Sequence, residues 1–313
     1  DIGAMLSGKT PAGRLPRPDV LVCCTNICQT VLHWYRVLAD YFECPLVLID
    51  TPFLYDEAHE HEVAYVKRQI EDMIRVAEDI AGKPLDDARF EVVMKNARRG
   101  AELWLEVLNR SRNRPAPMTA FDGFIHMGPI VDMRGEAVTV EYYERMLVEL
   151  DARIKRGVGA LKDERYRVLW DNLPIWFKIG DFSNWLGEHG VNVVASTYTY
   201  AWGELAPMID PANPLDSMAR VYLHPILNRS TGHKLEAMKK MVAEFELDGV
   251  ILHSDRSCKP YSLGQIDQRD RLSKALGVPA LLLEADHNDP RDYSEEQGAN
   301  RLEAFIEMME ART

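Results

Sequence analysis

The sequence predicts an α/β fold built on doubly wound parallel sheets. Short apolar runs rich in β-branched residues alternate with longer amphipathic stretches along most of its 313 residues. The first unit consists of the apolar run DVLVCC at 19–24, an amphipathic stretch at 27–42 and a second apolar run, CPLVLID, at 44–50. A strand, a helix and a strand within roughly 30 residues form a βαβ unit, which implies parallel pairing and a right-handed crossover.

The remaining elements continue this alternation. The first helix, at 27–42, is expected to be capped by Thr25 or Asn26. Long amphipathic helices are predicted at 59–82 and 86–110, and another at 138–157. A second series of strands is predicted at 166–170, 191–196, 249–253 and 279–286. Its helices are predicted at 175–189, 215–224, 233–246, 263–276 and 295–311.

Prolines and glycines between Pro115 and Gly128 indicate a loop and a domain boundary. We therefore expect two Rossmann-like domains with additional helices, the first at 1–130 and the second at 131–313. The chain opens with DIGAMLSGKTPAGRLPRPD rather than with Met. We expect an N-terminal part of the first domain, upstream of Asp1, to be missing.

Composition and charge exclude several classes of protein. Hydrophobic residues make up 46% and charged residues 27%, as in a globular protein with a full core. A net charge of −12 argues against a nucleic-acid partner. No apolar run approaches the roughly 20 residues that cross a bilayer, and no leader is present, so we expect no membrane partner and a cytoplasmic protein. Neither G-x-G-x-x-G after a strand nor G-x-x-x-x-G-K-[ST] occurs, so we expect this chain to bind no nucleotide.

The cysteines are the strongest functional candidates. Cys24 and Cys28 follow the strand at 19–24, and Cys258 follows the strand at 249–253. Ligands of open parallel sheets lie at the carboxyl ends of strands, which nominates these three residues. Cys44 precedes its strand and belongs to the opposite edge, and Cys23 is expected to pack in the core.

The loop HSDRSCKPYSLGQ at 253–265 places Cys258 between Arg256 and Lys259. Two flanking cations are expected to lower the pKa of its thiol. The residues alone leave three roles open: a nucleophile, a metal ligand and an inert thiol. Zinc stays open with weak support, because zinc-finger spacing is absent. A Cys–His pair and iron–sulfur ligation stay open as well.

Other side chains are weaker candidates. Ser196 and Tyr198 follow the strand at 191–196 and are candidate catalytic residues that line a pocket, with a plain loop as the equal alternative. His126 is a candidate acid or base. The acidic stretch DHNDPRD at 286–292 is expected to be a turn leading into a helix rather than a metal site.

Two separated segments resemble one protein family. The stretches HSDRSCKPYSLGQIDQRDRL and GVPALLLEADHNDPRDYSEEQGANRLEAFIEM resemble the C-terminal signature of the 2-hydroxyacyl-CoA dehydratase and benzoyl-CoA reductase family. The stretch NICQTVLHWYRVLADYFECPLVLIDTPF resembles its first cysteine segment, in which a Cys precedes a Trp by six positions. Here those residues are Cys28 and Trp34. The resemblance extends over nearly the whole chain.

The resemblance implies one subunit of a heterodimeric enzyme that holds an iron–sulfur cluster, 4Fe–4S in most members, on three cysteines. An ATP-hydrolysing iron–sulfur activator supplies one low-potential electron. In the dehydratases this electron converts an acyl-CoA thioester into a ketyl radical, which loses water. The alternatives are a benzoyl-CoA reductase subunit and a cluster-bearing electron-transfer subunit. Outside the family, a cysteine-nucleophile enzyme stays open. Such chemistry implies the cytoplasm of an anaerobic organism.

The resemblance also implies roles for particular residues. Cys28 and Cys258 match two of the family's cluster ligands. The third is expected upstream of Asp1, with Cys24 as the alternative. Ser262 and Gln265 are expected to donate hydrogen bonds to the cluster's sulfurs.

The segment ASTYTYAW at 195–202 lacks a cysteine that many partner subunits carry. This difference favours the β-type subunit, with a homologous α-type subunit as its partner.

Overall fold

The computed structural model describes residues 2–10 and 13–312, which contain two parallel sheets. The strands of the described residues are β1 Leu21–Cys24, β2 Leu46–Ile49, β3 Tyr166–Asp171, β4 Val191–Ser196, β5 Gly249–Asp255 and β6 Ala280–Ala285. The first sheet pairs β1 with β2, and the second has the order β4-β3-β5-β6. All of these strand pairs are parallel. The predicted α/β class with two Rossmann-like units is confirmed.

Helices connect and cover the strands. The helices are α1 Ile2–Ser7, α2 Gln29–Phe42, α3 Glu60–Ala81, α4 Asp87–Asn109, α5 Ala120–His126, α6 Gly128–Asp132, α7 Ala137–Lys155, α8 Ile179–Glu188, α9 Thr197–Tyr200, α10 Pro214–Leu223, α11 Thr231–Glu244, α12 Lys259–Ser262, α13 Gln265–Leu276 and α14 Glu295–Glu310. The predicted helices and strands occur close to their predicted bounds. The predicted loop between Pro115 and Gly128 is wrong, because α5 lies within it. A capping box explains this helix: Thr119 Oγ1 accepts from Asp122 N, and the Asp122 carboxylate accepts from Thr119 N at 2.8 Å.

The predicted cap of the first long helix is also wrong. Helix α2 begins after Cys28, which takes the N-cap position and makes no side-chain capping hydrogen bond. Thr25 Oγ1 donates instead to Asp50 Oδ1 at 2.8 Å, and Asn26 Nδ2 donates to the Tyr222 carbonyl at 2.6 Å. The Cys28 thiol is therefore not used in capping the helix.

The strand order of the larger sheet creates a cleft at its carboxyl edge. The chain leaves β3 to form β4 on one side and then returns to form β5 on the other side. Connections that diverge from neighbouring parallel strands leave a crevice where ligands bind. Asp171 and Asp255 end the two strands that border this crevice.

The two faces of the larger sheet bury different helices. Val168 and Trp170 of β3 lie in the same buried cluster as Trp104 of α4 and Phe305 of α14. Alternate positions of the sheet pack against α11 and α13 on the other face. Trp104 Nε1 donates to the Thr199 carbonyl at 2.8 Å, which fixes α4 to the segment that follows β4.

The buried core thus runs across position 130. The domain limits 1–130 and 131–313 stay a prediction. Among residues 2–10 and 13–312, no helix combines the length and apolar character needed to span a membrane.

Candidate functional site

Two cysteines meet at the carboxyl ends of strands from different sheets. Cys28 lies after β1 at the N-cap of α2, and Cys258 lies after β5 at the N-cap of α12. Their Sγ atoms are 2.9 Å apart, although 230 positions separate them in the sequence. Both are free thiols; Cys258 is fully buried and Cys28 is partly buried.

The short contact shifts the pKa values of the two thiols in opposite directions. The hydrogen bond between the two thiols lowers the pKa of Cys28, despite partial burial. The same bond, together with burial, raises the pKa of Cys258 above its ordinary value. The expectation that Arg256 and Lys259 lower the pKa of Cys258 is therefore wrong. Both cations are exposed, and Arg256 lies 3.7 Å from the Asp292 carboxylate.

The surroundings of the thiol pair are mainly apolar. Cys258 packs in a small buried cluster with Ile226 and Tyr261, and Cys28 and Tyr198 contact this cluster from its edge. Burial, with smaller contributions from the neighbouring Cys258 and Cys28, raises the pKa of Tyr198 to about 12, which keeps its hydroxyl protonated. Of the weaker candidates, Tyr198 is the one brought to the thiols.

Cys24 belongs to a different environment. It pairs with Ile49 in the first sheet and packs against a cluster that contains Ile49 and Leu54. Burial raises the pKa of its thiol to about 11. Among the described residues, no third cysteine, histidine or carboxylate ligand atom lies within 4.8 Å of both Cys28 Sγ and Cys258 Sγ. A third ligand, Cys24 or a residue upstream of Asp1, stays a prediction.

Ser262 and Gln265 brace the loop that carries Cys258. Ser262 Oγ donates to the Asp255 carbonyl at 2.7 Å. Gln265 Nε2 donates to Asp171 Oδ2 at 2.9 Å and to the His253 carbonyl at 3.1 Å. These bonds join the ends of β3 and β5, and neither side chain donates to a thiol here.

Ser196 and His126 have local partners. Ser196 caps the short helix α9 by accepting a hydrogen bond from Tyr198 N at 3.2 Å. His126 ends α5, and its Nδ1 lies 2.6 Å from the Tyr142 hydroxyl. Neither side chain contacts the thiol pair, and their predicted catalytic roles stay predictions.

A histidine that sequence reasoning missed lies at the same edge. His287 Nδ1 is 2.8 Å from Asp255 Oδ2 and 3.8 Å from Asp286 Oδ1. Burial lowers the pKa of His287, but the hydrogen bond to Asp255 and the two carboxylate charges outweigh it and raise that pKa. The charge of His287 in turn helps to lower the pKa of Cys28.

The pairing of the parallel strands β5 and β6 predicts that Asp255 and His287 lie close together. Asp255 pairs with Ala285 across the parallel strands β5 and β6, so residues 286 and 287 must follow at the same edge. Ligand atoms of Asp255, Asp286 and His287 lie within 4.8 Å of one another. The predicted turn is present as well, since Asp289 caps a short 3₁₀ helix at Pro290–Asp292.

A cleft of about 720 Å³ opens beside the Cys258 loop. Phe53 and Tyr55 on one side of it are 59% and 75% exposed, and the start of α11 forms another side. Thr231 of α11 abuts Gly264, where an added Cβ would lie 2.9 Å from Thr231 Oγ1. Gly264 also has a φ of +88°, so this close approach depends on glycine.

The sequence matches the family described as 2-hydroxyglutaryl-CoA dehydratase, D-component, over residues 1–309. The chain belongs to this family. The match covers both cysteine-bearing strand ends, so the Cys28–Cys258 contact lies within the family's shared region.

Several relatives are identical to this D-component family member at about a third of the aligned positions. It is 33% identical to the (R)-2-hydroxyisocaproyl-CoA dehydratase alpha subunit of Clostridioides difficile, over 100% of this chain and 76% of that one. It is 31% identical to the (R)-2-hydroxyglutaryl-CoA dehydratase alpha subunit of Acidaminococcus fermentans, over 95% of this chain and 61% of that one. It is also 31% identical to a benzoyl-CoA reductase subunit of Thauera aromatica, over 100% and 76%. The chain thus spans only part of the length of each of these relatives.

The predicted resemblance to the 2-hydroxyacyl-CoA dehydratase and benzoyl-CoA reductase family is confirmed. The relatives of this D-component family member include dehydratase subunits named alpha as well as a benzoyl-CoA reductase subunit. The predicted β-type subunit stays a prediction.

Proposed function

We propose that this chain is the cluster-bearing part of a 2-hydroxyacyl-CoA dehydratase subunit, a lyase that removes water from an acyl-CoA thioester. The contact between Cys28 and Cys258 carries the proposal. It joins two distant segments at the carboxyl ends of strands, in a chain whose relatives include dehydratase subunits.

By the chemistry of their donor atoms, the two thiols suit an iron–sulfur cluster. Thiolates are the ligands that such clusters use, and a largely apolar shell favours low solvent access. Cys28 and Cys258 would supply two thiolates, and a residue upstream of Asp1 or Cys24 a third. A bound 4Fe–4S cluster would supply the thioester carbonyl with one low-potential electron, which an ATP-hydrolysing activator provides.

The chain's own residues would handle protons and exclude water. Asp255 holds His287 Nδ1, which leaves Nε2 as the atom that exchanges a proton with the substrate. The raised pKa of His287 favours the protonated ring, as a donor to the leaving hydroxyl requires. Tyr198, whose hydroxyl stays protonated, and Ile226 contribute to the wall around the thiols.

The cleft beside the Cys258 loop offers a place for part of the acyl-CoA. Its volume lies in the range of about 300–1,000 Å³ that small-molecule sites use. Phe53 and Tyr55 present exposed rings on which an adenine base can stack.

Benzoyl-CoA reduction is the second candidate function. The 31% identity to the benzoyl-CoA reductase subunit of Thauera aromatica, over the whole of this chain, favours it. In either case the enzyme is proposed to work in the cytoplasm of an anaerobic organism, with a homologous second subunit.

Product analysis tests these proposals. The full-length protein, its partner subunit and the activator are combined without oxygen and supplied with ATP and a 2-hydroxyacyl-CoA. We expect ATP-dependent formation of the unsaturated acyl-CoA, abolished by Cys258→Ala and retained by Cys44→Ala. Reduction of benzoyl-CoA without dehydration would establish the second candidate. Undiminished turnover by Cys258→Ala would refute the assignment of this cysteine.

A further inference from the structure

A lysine distant in sequence presents its ammonium to the loop that carries Cys258. Lys234 lies in α11 and is 6% exposed. Its Nζ donates to the Pro260 carbonyl and lies 5.9 Å from the centroid of the Tyr261 ring. Within residues 2–10 and 13–312, no carboxylate oxygen lies within 4.0 Å of this Nζ. The ammonium is thus directed at the turn Cys258–Ser262.

The negative groups near Lys234 compensate its positive charge only in part. Asp171 acts on it electrostatically, but the Asp171 carboxylate accepts its hydrogen bonds from Thr197 Oγ1 and Gln265 Nε2. Burial lowers the pKa of Lys234, and the negative charge of Asp171 opposes this effect. A buried cation is destabilising unless an opposite charge lies nearby. A charged group at Cys258 would supply that opposite charge.

We propose that Lys234 is a positioning residue of the iron–sulfur site, where it offsets the negative charge of the cluster and fixes the Cys258 turn. This inference rests on the proposed function. Arg256 and Lys259 are closer to Cys258 in sequence, but both are exposed to water, which screens their charges. A buried positive charge stabilises the more negative, reduced cluster, so Lys234 raises its reduction potential.

Three variants of the full-length, cluster-loaded protein test this role. Lys234→Met removes the charge and the hydrogen bond, whereas Lys234→Gln keeps a donor for the Pro260 carbonyl. Lys259→Met is the matched control, because it removes an exposed lysine directly after Cys258. Iron and sulfide content are measured first, and the midpoint potential is then determined by an anaerobic redox titration followed spectroscopically.

We expect both Lys234 variants to have a lower midpoint potential than the wild type. A tenfold change in the ratio of reduced to oxidised cluster corresponds to about 59 mV for one electron. Lys259→Met should keep the wild-type potential. An unchanged potential in iron-loaded Lys234→Gln, or an equal shift in Lys259→Met, would overturn the inference alone. A wild-type protein without iron would instead overturn the proposed function itself.

Discussion

Replacing Asp255 with Asn should weaken a buried contact whose strength depends on pH. The Asp255 side chain is fully buried and Oδ2 lies 2.8 Å from His287 Nδ1, while Oδ1 accepts from Ser257 N at 3.1 Å. A hydrogen bond to a charged group contributes about 1.5–3 kcal/mol. Asn keeps the shape of the side chain but lacks the charge, so we expect a loss of that order in the free energy of unfolding at acidic pH.

The sign of the pH dependence follows from the raised pKa of His287. When folding favours the protonated form of a histidine, its contribution to the free energy of unfolding is complete below the unfolded pKa of about 6.5. That contribution is lost as the pH rises through the folded pKa. The destabilisation by Asp255→Asn should therefore be larger at acidic than at alkaline pH.

Urea unfolding of the cluster-free wild type and variant, followed by tryptophan fluorescence on both sides of neutrality, measures this difference. Asp292→Asn is the control, because that partly exposed carboxylate lies 3.7 Å from an exposed arginine and should not change the pH dependence. Equal destabilisation by Asp255→Asn at both pH values, or a larger one at alkaline pH, would refute the reasoning.

Three further predictions address the site and its support. His287→Gln should lower turnover about 10²–10⁴-fold and remove one limb of the pH–rate profile, as measured in the dehydration assay; an unchanged profile would contradict its role. Cys24→Ala should keep its iron, because Cys24 packs in a separate apolar cluster; iron loss on metal analysis would make Cys24 the third ligand instead. Arg167→Met should lower the free energy of unfolding in urea by about 3–5 kcal/mol, since this fully buried guanidinium donates to three backbone carbonyls and a carboxylate. A loss below about 1 kcal/mol would contradict this role of Arg167.

The sequence was sufficient to predict where the two central cysteines belong. Apolar runs of β-branched residues identify strands locally, and parallel topology directs the residues after those strands to one edge. Cys28 and Cys258 both follow such runs, and the structure brings their thiols into contact. Neither rule depends on knowing how the helices pack.

The electrostatics of the site could not be predicted in the same way. Arg256 and Lys259 are adjacent to Cys258 in sequence, but the packing of the chain leaves both exposed, whereas Lys234 from α11 is buried beside the loop. The raised pKa of Cys258 depends on Cys28, which comes from another sheet. Such contacts depend on tertiary packing, which a single sequence does not reveal.

The position of the long helices was ambiguous for a similar reason. An amphipathic pattern shows that α4 buries one face, but not which sheet it covers. Trp104 lies in the core of the larger sheet, so the buried cluster crosses the predicted boundary at 130. By contrast, the group formed by Asp255 and His287 was within reach of sequence reasoning, since β5 and β6 are neighbouring strands whose ends coincide.

The iron and acid-labile sulfide content of the anaerobically purified full-length protein tests the central claim most directly. We expect about four irons and four sulfides per chain in the wild type and in Cys44→Ala. Cys28→Ala and Cys258→Ala should each contain only background iron while keeping the wild-type circular dichroism spectrum. A wild type without iron, or a Cys258→Ala protein with its full complement, would contradict the claim that these two thiols hold the cluster.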